Sequence, residues 1–164
     1  MDLKITEDAI FQNAHHEQAS FDDICLRIEN FIKAEPKFEY VLSVGTDSMT
    51  YDKTWFVLAI VLHRVGNGGI YFYKKIQYPA VKDLKDKLYK ETQLSLDTVE
   101  ILTSKLIEKD IDKLRLSIHL DIGKNGPTKD LIKELEGWVE ALGYECEIKP
   151  NSYAASTIAN RYSK

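Results

Sequence analysis

The sequence predicts an α/β fold: a mixed five-stranded sheet in the order β-β-β-α-β-α-β-α, flanked by helices and preceded by one extra N-terminal helix. Three observations lead there. Residues 40–78 hold three successive β-rich runs, residues 84–107 are good helix formers without Gly or Pro, and two later strand signals are each followed by a helical one. Strands joined through helices run parallel, and no repeat or low-complexity linker divides the chain, so all the strands share one sheet.

Residues 1–19 show no sustained period and are expected to form an N-terminal arm that is free to move. Residues 20–164 are expected to form a single domain. His15 and His16 could bind a metal as an isolated pair, but a solvated pair near a terminus is the simpler reading. Ser20 is an N-cap, after which Phe21, Ile24, Ile28, Phe31 and Ile32 recur at helical spacing until Pro36 forces a stop. The runs Tyr40–Asp47, Trp55–His63 and Ile70–Tyr78 read as antiparallel strands, the last two joined by the hairpin signal Gly66-Asn67-Gly68-Gly69. One long helix covers about residues 84–107. Leu114–Asp121 alternates as a strand, with Arg115, Ser117, His119 and Asp121 on its polar face. Pro127 suits a first helical position, with the helix running to Leu142 before Gly143. A short strand, Tyr144–Lys149, and a closing helix from Ser152 complete the pattern.

The composition is 44% hydrophobic and 29% charged with a formal net charge of −4, that of a globular domain without overall basicity. No apolar run approaches the ~20 residues that cross a bilayer, and the first residues lack a basic-then-apolar signal pattern, so a cytoplasmic location without a membrane span is expected. Cys25 and Cys146 are far apart and suggest neither a disulfide framework nor a cysteine-pair zinc site.

Asp47 and Asp121 each close a strand. If those strands are parallel neighbours, the two carboxylates converge at the sheet edge where ligands bind in such folds. Unpaired, they repel, and a divalent cation relieves the repulsion; Mg²⁺ is typically held by one or two carboxylates with waters and substrate phosphates. The long helix offers Glu91 or Glu100 as a third acid. Nine residues at ~100° each put them on opposite faces, and Glu91 falls within the stripe Leu84, Leu88, Ser95, Val99, Leu102 and Leu106, so Glu91 faces the sheet. His119 could move a proton or orient a ligand, although a hydrogen-bonded core histidine is the preferred reading. Lys124, Lys129, Lys149 and Arg161 could contact phosphates near this edge or simply be solvated.

The motifs Val44-Gly45-Thr46-Asp47-Ser48, Tyr89-Lys90-Glu91-Thr92, His119-Leu120-Asp121-Ile122-Gly123 and Ala155-Ser156-Thr157-Ile158-Ala159-Asn160-Arg161-Tyr162, on elements in this order, resemble the YkuK family of bacterial RNase H-like proteins. The likeness covers about residues 20–164. It implies metal-dependent hydrolysis of phosphodiester bonds in RNA, RNA–DNA hybrid or another nucleic acid, with Asp47, Glu91 and Asp121 holding one or two Mg²⁺ or Mn²⁺ ions and Ser48 in support. Active RNase H-like nucleases usually draw a further acid from the last helix or the turn before it. Here Ser156 and Asn160 are the nearest candidates, and Asn160 would offer a neutral carbonyl ligand. The alternative expectation is a non-catalytic RNase H-like module that binds nucleic acid or a protein partner.

Overall fold

The computed structural model describes residues 3–111, 114–123, 126, 129–149, 151–152 and 154–163, leaving aside the side chains of Ala154, Ser156, Asn160 and Ser163. The chain opens with a short antiparallel hairpin, β1 (Ile10–Asn13) and β2 (Gln18–Ser20), and continues directly into helix α1 (Phe21–Ala34). Ser20 caps α1 in a full capping box: its hydroxyl accepts from Asp23 N–H while the Asp23 carboxylate accepts from Ser20 N–H. Two helix-start donors are thereby satisfied.

Strands β3 (Tyr40–Thr50), β4 (Lys53–Arg64) and β5 (Gly69–Pro79) form an antiparallel meander. The turn into β5 runs through Gly66 and Gly68 at φ +79° and +77°, a region that glycine enters without a Cβ clash. Then come helix α2 (Leu84–Glu108), strand β6 (Arg115–His119), a 3₁₀ turn (Lys129–Leu131), helix α3 (Ile132–Ala141), strand β7 (Glu145–Glu147) and helix α4 (Ala154–Ser163). The sheet order is β2-β1-β5-β4-β3-β6-β7, with β3–β6 and β6–β7 parallel.

The expected five strands are therefore seven among the described residues. The two additions come from the stretch without a sustained period, because strands of 4 and 3 residues are too short to display alternation. Phe11 and Ala19 bury their side chains there, and β1 joins the sheet through Gln12 opposite Tyr73 and Asn13 opposite Phe72. His16 stands at the β1–β2 turn with Nδ1 2.7 Å from the Tyr73 hydroxyl. Helix α3 starts at Ile132, later than expected, because a 3₁₀ turn precedes it; Pro127 lies outside the described residues. Among the described residues, no helix is long and apolar enough to cross a membrane.

The sheet separates two cores. Leu42, Val44, Phe56, Leu58 and Ile60 pack on one face with Ile24 and Ile28 of α1, Leu94 and Leu102 of α2, and Leu135 and Val139 of α3. On the other face Val57, Ala59 and Tyr73 meet Ala155 and Ala159 of α4. Small residues let α4 lie close: a Cβ on Gly45 would come within 3.1 Å of Ala155 Cβ. Along β3, alternate residues thus face opposite layers, Thr46 hydrogen-bonding Ser95 of α2 at 2.8 Å while Gly45 meets α4.

Candidate functional site

Parallel pairing of β3 with β6 sets Gly45 opposite His119. Two residues beyond that last paired position stand Asp47, still inside β3, and Asp121, already past the end of β6. Asp47 is within β3 and only 6% exposed; Asp121 lies just past the end of β6 and is more open. The β6–β7 ladder sets His119 opposite Glu147, so the same two-residue step puts Lys149 beside Asp121. Its ammonium lies 2.8 Å from Asp121 Oδ1.

Glu91 approaches from the α2 side. Its carboxyl is 6% exposed and accepts a short hydrogen bond from the Ser48 hydroxyl. Burial holds that carboxyl well above the usual range; the negative charges of Asp47 and Asp121 push it the same way, against the Ser48 hydrogen bond and Lys87. The charges of Asp47 and Asp121 thus both reach the Glu91 carboxyl, although the three acids come from three elements. Glu100 is exposed on the opposite side of α2, as the helical phase requires. Beneath the acids, Thr46, Glu91, Ser95, His119 and Asp121 line a crevice of ≈ 10 Å³, about enough for one water. Any larger ligand must meet the carboxylates from outside. A cavity of ≈ 650 Å³ opens at the far end of the sheet, among Ile32, Phe38, Tyr40, Leu114 and Arg115.

His119 is 7% exposed and turns towards α4, where its Nδ1 accepts from Ala155 N–H at 3.3 Å. That bond assigns the proton of the neutral ring to Nε2. Burial pushes its pKa down to about 4, so the ring is neutral at physiological pH and anchors the start of α4. Lys124 and the side chains of Ser156 and Asn160 lie outside the described residues.

Three carboxylates with mutual repulsion fit a hard divalent cation in donor chemistry and in charge. Among the described residues, no three His, Cys, Asp or Glu side chains already stand close enough to enclose an ion, so binding would require the acids to close inward. From the sequence, Lys149 is either a phosphate contact or a solvated surface charge. Its pairing with Asp121 follows from the parallel β6–β7 register, which a three-residue strand does not announce.

Comparison with known proteins gives the same architecture a family context. Residues 23–164 match the family described as Ribonuclease H-like. The chain is also similar to the uncharacterized protein YkuK of Bacillus subtilis (strain 168), 39% identical over 170 residues that cover 94% of this chain and 97% of that protein.

Proposed function

Since the chain belongs to the Ribonuclease H-like family, we propose that it is a metal-dependent phosphodiester hydrolase acting on RNA, an RNA–DNA hybrid or another nucleic acid. The observation that carries this reading is the coupling of Asp47, Glu91 and Asp121 at one strand edge, where Glu91 is raised by burial and by the charges of the other two. Buried acids in mutual repulsion cost stability, and such costs concentrate at functional sites. Asp47, Glu91 and Asp121 would hold Mg²⁺ or Mn²⁺, which supplies Lewis-acid activation of water and neutralises charge at the phosphoryl group. Ser48 fixes the Glu91 carboxylate by its hydrogen bond, a support of the kind that orients metal ligands. The shallow site directs the substrate phosphate to the outer side of the acids, beside Asp121.

The test is turnover of labelled RNA, RNA–DNA hybrid and single-stranded DNA in Mn²⁺, wild type against Asp47→Asn. Cleavage by the wild type that falls at least about 100-fold in the variant is expected. Equal rates would remove Asp47 from the chemistry. Binding without cleavage by either protein would instead favour the non-catalytic module.

A further inference from the structure

Asp47 within β3, Asp121 just past β6 and Lys149 just past β7 belong to three adjacent strands, and the backbone fixes the third member. Lys149 N–H donates to Ile122 O at 2.8 Å, so the residue is tied next to Asp121 and only its side chain can swing. That side chain is 58% exposed while its ammonium touches Asp121 Oδ1 at 2.8 Å. One side of the ammonium thus meets the acidic group and the other meets solvent. An exposed ion pair of this kind contributes only about 0–1 kcal/mol, which is little reason in stability terms for a lysine at this position.

Charge supplies a better reason. The Lys149 ammonium already stands 2.8 Å from Asp121 Oδ1, so a positive charge occupies the outer side of the carboxylate that a second divalent ion would have to share. A lysine ammonium is also a compact point charge with three donors, suited to a phosphate oxygen as well as to a carboxylate. We propose that Lys149 is the resident second cation of this centre, bridging Asp121 and a substrate phosphate, so that the centre takes one divalent ion. The inference rests on the metal-centre reading above and deepens it.

Calorimetric titration of the full chain with MnCl₂ tests both and tells them apart. Wild type and Lys149→Arg are expected to bind one Mn²⁺ per chain. Lys149→Ala is expected to bind the first ion several-fold more tightly, or to admit a second. Two ions in the wild type, or unchanged or weaker binding by Lys149→Ala, overturns the role of Lys149 and leaves the metal centre standing. No Mn²⁺ binding by any of the three proteins overturns the metal centre, and the Lys149 proposal falls with it. A second readout is fluorescence anisotropy of labelled single-stranded RNA in Ca²⁺ at several salt concentrations. Lys149→Ala should lower the slope of log affinity against log salt by about one phosphate contact; an unchanged slope overturns the phosphate bridge.

Discussion

Replacing Gly45 with alanine tests how α4 is seated over the strand that carries Asp47. The new methyl would lie 3.1 Å from Ala155 Cβ, 3.2 Å from His119 O and 3.3 Å from His119 Cβ. Carbon atoms sit comfortably at about 3.5–4.0 Å, so neighbours on two sides must each yield by a few tenths of an ångström. His119 O belongs to β6, which is held in the parallel ladder, so the strain passes to Ala155 and the start of α4. Overpacking of this kind costs about 1–3 kcal/mol. Removing a glycine from the unfolded chain returns about 0.4–1 kcal/mol, which leaves a net loss centred on about 1.3 kcal/mol. At about 2–4 °C per kcal/mol for a chain of this size, Tm should fall by about 3–5 °C. Gly137→Ala is the matched control: Gly137 is an exposed helical position with nothing within 4 Å of the added Cβ, and alanine there should stabilise by up to about 1 kcal/mol. Urea denaturation of both variants, followed by far-ultraviolet circular dichroism, gives the two signs. A Gly45→Ala protein as stable as the wild type would refute the close seating of α4.

Three further outcomes follow from the titratable groups and their partners. The folded state binds the Glu91 proton more tightly than the unfolded chain, so this group's contribution falls as pH rises from the unfolded carboxylate value through the folded one. Glu91→Gln removes that fall; in metal-free buffer the variant should gain stability over the wild type as pH rises above the ordinary carboxylate range, and parallel pH profiles would contradict the burial argument. His119 has the opposite sign: burial puts its folded pKa at about 4, below the ordinary imidazole value of 6.5, so its contribution is complete above the unfolded value and is lost as pH falls from there towards the folded one. Nitrogen-15 NMR should show the neutral ring with its proton on Nε2 at pH about 6; an imidazolium signal would remove the assigned bond to Ala155 N–H. Ser48→Ala should weaken Mn²⁺ binding by about 10-fold or more in calorimetry, the range typical of partners that orient ligands, and unchanged affinity would deny Ser48 that role.

What could be read from the sequence depended on how far each signal extends along the chain. The meander of β3, β4 and β5 and the helix α2 span many periods, so alternation and helical phase fixed their type, and phase alone separated buried Glu91 from exposed Glu100. The crossover rule put Asp47 and Asp121 on neighbouring parallel strands, and β3 and β6 do pair in parallel, their ladder ending at Gly45 opposite His119. β1 and β2 escaped notice because their burial rests on single residues, Phe11 and Ala19, and their strand character comes from partners distant in sequence. Lys149 was legible only as a nearby positive charge, since its place beside Asp121 depends on how the three residues of β7 pair with β6. The low pKa of His119 comes from its burial, which depends on how the chain packs around it and which strand alternation does not reveal.

The central claim is that Asp47, Glu91 and Asp121 act as one cation centre. Anomalous diffraction from crystals soaked in Mn²⁺ measures this most directly. A manganese peak within coordination distance of all three carboxylates, about 2.0–2.6 Å, is expected, together with its loss in Asp47→Asn. Carboxylates that stay apart in the presence of Mn²⁺, with no peak among them, would contradict it.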